Sequence, residues 1–304
     1  MMKILVLSFS LMILLSPVGS AQSGAPDMPV PSDVKPGSIT CEECPYPYPS
    51  SYLPLTLYGQ DVRMAYMDVP AAGQPNGHTV VLLHGMNFYG EYWSNVIEVL
   101  RNEGFRVVVP DQVGFGRSSK PIMPYTLSDM AFNTHKLLET LGVPRANIVG
   151  HSMGGMVAAR FAMLYPDSTE RLVLYNQIGL TDARLQRPPT PLDEVYKQVL
   201  GQGYDAVYRG IARYFVNGVP KVAEKYITRQ YGWTLSGNWP QAAMVRALVG
   251  APWATASALR RRSGTGATPP AVSRNWTIDP AAITSRATIS TSGHSACARP
   301  VARL

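Results

Sequence analysis

Cysteine, charge and long apolar runs are all scarce in this chain, and each shortage removes a class of protein. Only three cysteines, Cys41, Cys44 and Cys297, occur in 304 residues, too few for a disulfide framework. Beyond the N-terminus no run reaches the roughly 18 apolar residues of a membrane-spanning helix. Charged residues make up 15% and apolar residues 46%, globular values that exclude a disordered chain. The net charge of +7 suggests a nucleic-acid partner, but its location does not. Residues 251–304 hold seven arginines, no lysine, one aspartate and no glutamate, which accounts for +6 of it. The first 250 residues are nearly neutral, so no nucleic-acid partner is expected.

The N-terminus has the layout of a secretory signal. Lys3 precedes an apolar run from Ile4 to Leu15, and Pro17, Gly19 and Ala21 supply the small residues of a cleavage site after Ala21. A dozen apolar residues span only about 18 Å, short of the ~30 Å hydrocarbon core. Export to the periplasm or medium is therefore expected, with no stable membrane insertion afterwards. In such a compartment Cys41 and Cys44 bridge locally or stay as two thiols. Their spacing also fits half a zinc site, but no second Cys or His pair lies near. Cys297 is left over.

Residues 22–50 are rich in Pro, Ser and Gly and read as an extended lead-in. From 51 to 176 the pattern is that of a core. Two strands alternate through Leu53, Leu55, Leu57 and through Val62, Met64, Tyr66, and Asn76-Gly77 supplies a tight turn. Four short continuous apolar runs follow, Val80–Leu83, Val107–Val109, Ile148–Val149 and Leu172–Leu174, suited to strands buried on both faces. Helical patterns at Tyr92–Asn102, Leu127–Leu141 and Met153–Tyr165 separate them. The alternation predicts an α/β fold with a doubly wound, mostly parallel sheet. Residues 177–250 read as aromatic-rich helices with no strand among them, an inserted helical lid. From Ala251 onward Ala, Arg, Ser, Thr and Pro make up 38 of 54 residues, an atypical low-complexity tail.

The chemistry is concentrated in Gly150-His151-Ser152-Met153-Gly154-Gly155, between the Ile148-Val149 strand and the helix that starts at Met153. A serine on a sharp strand-to-helix turn has its hydroxyl raised above the sheet, and the flanking glycines remove side chains that would clash. Ser152 is the candidate nucleophile; the alternative is a serine that merely caps the helix. His84-Gly85-Met86 closes the Val80–Leu83 strand, which makes the Met86 N–H one candidate oxyanion donor and the Met153 N–H the other. His84 reads as a loop-fixing residue, and His151 as a neighbour that points away from the reacting centre. Asp111, at the head of a glycine-rich stretch ending at Ser119, reads as a structural turn beside the pocket.

His84-Gly85, Asp111 to Ser119 and Gly150 to Gly155 together resemble the α/β-hydrolase superfamily, in its branch of lidded esterases and epoxide-hydrolase-like enzymes, over roughly residues 52–250. In epoxide hydrolases and haloalkane dehalogenases the elbow residue is an aspartate. Ser152 therefore implies a hydrophobic ester or similar acyl substrate, as in carboxylesterases, lactonases and carbon–carbon bond hydrolases, and no cofactor or metal. The resemblance also implies a strand ending in an aspartate beyond the lid, then a helix, then a strand followed by Gly-His. Gly293-His294 follows Ala287-Thr288-Ile289 and supplies the candidate base, with Asp279 as its orienter, yet only 14 residues separate the two. A tail of this composition is also what a G+C-rich gene gives when read out of frame, in which case the base is missing. Two other readings stay open: a binding protein that has lost turnover, and a cofactor-free haloperoxidase or perhydrolase.

Overall fold

The computed structural model describes residues 30–179 and 190–250. The expected signal segment and the tail, with Asp279, His294 and Cys297, lie outside the described residues. Six strands form one sheet: β1 (Ser51–Leu57), β2 (Gln60–Val69), β3 (Thr79–Leu83), β4 (Arg106–Pro110), β5 (Ala146–His151) and β6 (Thr169–Tyr175). Their spatial order is β1-β2-β4-β3-β5-β6. β1 and β2 are antiparallel, β2 meets β4 antiparallel, and β4, β3, β5 and β6 run parallel. Tyr58 and Gly59 both have positive φ, 48° and 74°, the two-residue hairpin geometry that matches strand twist.

Successive residues of the central strands go to opposite faces, which is why their runs are apolar without interruption. Val80, Leu82, Val107 and Val109 pack on α1 (Ser94–Asn102) through Trp93, Ile97 and Leu100. Val81, Leu83, Val108 and Ile148 pack on α2 (Leu127–Thr140) and α3 (Met153–Leu164), around Leu137, Val157 and Phe161. In β2 the expected one-sided alternation fails. Met64 goes to the α2/α3 side, but Met67 and Val69 are buried on the α1 side, because this half of the strand pairs with β4 inside the sheet. β6 departs in the other direction. Its run is as apolar as the others, yet all seven residues are only half-buried, since β6 has one neighbour among the described residues.

Four helices follow, α4 (Leu192–Leu200), α5 (Tyr204–Ala212), α6 (Lys221–Thr234) and α7 (Trp239–Gly250). Several of their aromatics serve the lid's own packing. Tyr204, Tyr208, Phe215 and Tyr231 surround Val207, Ile211 and Ile227 between α5 and α6.

The lead-in is built more firmly than its composition suggests. Residues 30–50 form a strap joining lid to core. The Gly37 N–H donates to the Gly232 carbonyl, Ile39 packs with Trp239, and Cys41 and Cys44 are disulfide-bonded and buried against Tyr89. On the core side Arg117 donates to the Cys44 carbonyl (2.8 Å) and Ser50 Oγ (2.9 Å), with its guanidinium over the Tyr46 ring.

Candidate active site

Ser152 joins β5 to α3 with φ 54° and ψ −115°. For a residue with a Cβ this conformation costs about 1–3 kcal/mol and persists only where the surroundings impose it. The surroundings are three close approaches, two of them to backbone carbonyls. A Cβ on Gly150 would lie 2.1 Å from the Gly154 carbonyl oxygen, one on Gly154 would lie 2.1 Å from that of Leu83, and one on Gly155 would lie 2.3 Å from Gln177 Cβ. The turn is anchored where the Ser152 N–H donates to the Tyr175 carbonyl of β6, while its own carbonyl accepts from the Gly155 and Ile178 N–H groups. The Ser152 side chain makes no cap hydrogen bond to α3. The helix-capping alternative is thereby removed, and the hydroxyl sits half-buried at a helix N-terminus.

The loop after β3 lies against this turn. A Cβ placed on Gly85 would be 3.3 Å from Ser152 Cβ, which brings the next residue, Met86, to the serine's neighbourhood. Among the described residues no acceptor takes the N–H of Met86 or of Met153. The Met153 side chain is fully buried in the core and fixes the first turn of α3.

Among the described residues neither histidine near the serine hydrogen-bonds to it: His84 is committed elsewhere, and His151 Nδ1 is buried without a partner. His84 Nε2 accepts the Gln112 N–H (3.0 Å), which leaves the proton on Nδ1 to donate to the Gly85 carbonyl (2.9 Å). Burial holds its pKa below the usual histidine range, so the ring is a neutral brace for the loop. His151 lies on the α1 side of the sheet among Tyr92, Trp93 and Tyr175, its pKa lowered by burial and then by His84. Asp111 is a structural knot. Its carboxylate accepts from the Gly90 N–H (2.7 Å), the Arg117 N–H (2.9 Å) and the Tyr46 hydroxyl (2.5 Å). The candidate base His294 and its orienter Asp279 lie outside the described residues.

Sequence reasoning missed the contacts that tie this loop to the lid. Gln230 Nε2 donates to the Asn87 carbonyl (3.1 Å), Arg246 to Asn87 Oδ1 (3.2 Å), and Asn87 Nδ2 to the Tyr214 hydroxyl (3.0 Å). Glu91 is 3% exposed and receives Lys225 and Arg229, both from α6. No local pattern announces such residues, because each pair joins distant parts of the chain. Among the described residues no group of three or more His, Cys, Asp or Glu could hold a metal, and no helix is long and apolar enough to cross a membrane.

The family model described as the alpha/beta hydrolase fold matches residues 78–256. The solved structure of a probable hydrolytic enzyme from Pseudomonas aeruginosa PAO1 is 38% identical, covers 73% of this chain and 72% of its own, and superposes with a TM-score of 0.69. A second hydrolase structure from the same species is 25% identical, covers 66% of this chain and 73% of its own, and has a TM-score of 0.51. A 2-hydroxy-6-oxononadienedioate/2-hydroxy-6-oxononatrienedioate hydrolase of Paraburkholderia phymatum is 34% identical over 150 residues, 48% of this chain and 50% of that protein. This chain spans about half the length of the curated relatives it matches.

Proposed function

The chain belongs to the alpha/beta-hydrolase-fold family, a hydrolase lineage, and from that premise we propose that it cleaves an ester or similar acyl substrate through an acyl-enzyme on Ser152. The observation that carries the reading is the strained backbone of Ser152 with its hydroxyl left out of helix capping. Strain of this kind is retained where it raises a reacting group. In the reaction Ser152 Oγ attacks the substrate carbonyl while its proton passes to a histidine base. The Met86 and Met153 N–H groups receive the oxyanion, the alcohol leaves with the proton, and water then releases the acid. His294 is the histidine the sequence offers as base. No metal or cofactor takes part in this scheme. Placement follows from the leader: a periplasmic or secreted enzyme acting on a small hydrophobic acyl substrate.

The test is Ser152→Ala on p-nitrophenyl ester hydrolysis, where loss of about 10⁴-fold or more in kcat with an unchanged melting temperature is expected. Turnover unaffected by the substitution would remove Ser152 from the reaction. A second reading, a binding protein without turnover, is favoured by one observation: neither His84 nor His151 reaches the serine. A fluorophosphonate probe separates the two, since an activated Ser152 is labelled and an unactivated one is not.

A further inference from the structure

A small, partly open cleft of about 40 Å³ lies between the loop after β3 and the lid. Its walls include Met86, Phe115, Trp233 and Trp239, and two cationic side chains line it, Lys120 from the core and Arg246 from α7. Among the described residues neither cation forms a salt bridge. Lys120 Nζ donates to two carbonyls, of Gly116 (2.7 Å) and Ser118 (3.2 Å), leaving one of its three protons. Arg246 spends one N–H on Asn87 Oδ1. Of the two acids whose charge bears on Lys120, Asp111 and Glu42, Asp111 already serves Gly90, Arg117 and Tyr46. Two cations lining one aromatic-walled cleft each carry a desolvation cost that a bound anion offsets. A guanidinium fork and an ammonium are each suited to a carboxylate.

We infer that this cleft is a carboxylate-binding subsite, taking only the anionic end of a substrate whose aromatic or aliphatic body extends out of its open side past the aromatic wall. The inference rests on the Ser152 reading for its link to turnover, because Met86 joins the cleft to the loop beside the serine. It narrows the substrate class to acyl compounds with a free carboxylate remote from the scissile carbonyl. Burial draws the Lys120 ammonium down to about 7 and the Arg246 guanidinium below its usual value, as is expected of cations short of partners.

Because two tryptophans stand in the wall, binding can be read without turnover. The full chain is titrated at pH 6.5 with 3-phenylpropanoate and with its neutral isostere 3-phenylpropanamide, following tryptophan fluorescence. The acid is expected to saturate at about tenfold lower concentration than the amide, the factor that ~1.4 kcal/mol gives. Arg246→Gln should erase that preference and Arg246→Lys should restore part of it. Equal affinity for acid and amide in the unmodified protein overturns the inference whether or not any variant folds. So does tighter binding of phenyl phosphate than of the carboxylate. In the unmodified protein, a preference for acid without any esterase activity sinks the hydrolase reading and keeps the subsite.

Discussion

At the scale of single residues, the elbow tolerates almost no added atom. A Cβ on Gly154 would sit 2.1 Å from a backbone carbonyl of β3, which cannot move without disturbing the sheet. Gly154→Ala is expected to cost about 3 kcal/mol, the upper end of ordinary overpacking, measured by urea denaturation. Lys120 sets a pH dependence. Its pKa is lowered to about 7 by burial, against the opposing pull of Asp111 and Glu42, and its charge in turn bears on His84. Carboxylate affinity in the cleft, which Arg246 shares, should therefore be highest below pH 7 and fall as pH rises through it, while affinity for the neutral amide stays level. For folding the sign is opposite. A lysine whose folded pKa is depressed favours the native state most fully above its unfolded value of 10.5, and that contribution is lost as pH falls through 7. Ser152 is visible in the sequence because strand, glycines and helix adjoin it within ten residues. Lys120 and Arg246 are not, since a lone cation in a loop or helix looks like any solvated residue until the walls around it are known.

Among the elements, α6 depends on the loop after β3. Glu91 is buried, and Lys225 and Arg229 converge on it from α6, with Arg229 also reaching the Tyr89 hydroxyl (2.8 Å). Glu91→Gln keeps the shape but leaves two cations short of an anion. Breaking a buried pair from one side costs about 3–5 kcal/mol, and the half-exposed Lys225 places this case toward the low end. Hydrogen exchange should rise across Lys221–Thr234 and stay unchanged in β3 and β5. Strand and helix positions were readable from the sequence because burial on both faces demands uninterrupted apolar runs. The second buried face of β2 was not, because it follows from pairing with β4. The lid's aromatics show the same limit. Their number predicts an apolar interior, but periodicity does not say which rings meet a neighbouring helix and which meet the cleft.

For the molecule as a whole, β6 is the informative boundary. Its seven half-buried residues, with a partner on one side only among the described residues, leave Leu172 to Tyr175 less covered than the equally apolar runs in β3 and β4. The sequence after Ala251 contains no comparable apolar run to cover them. Deleting residues 251–304 is accordingly expected to change the melting temperature by no more than roughly 2 °C. The same deletion assayed beside His294→Ala locates the base. Parallel loss of esterase activity assigns it to His294, and retained activity in both places it elsewhere. The strap, finally, sets an order of events in time. Gly37 and Ile39 find their partners on α6 and α7, at the far end of the described chain, so this part of the strap is seated late. During synthesis Gly37 and Ile39 stay unanchored until α6 and α7 have emerged, whereas the Cys41–Cys44 ring can close and residues 44–50 can seat on Asp111 and Arg117 earlier. An N-terminal fusion or tag that delays this docking would leave a folded sheet under an untethered lid.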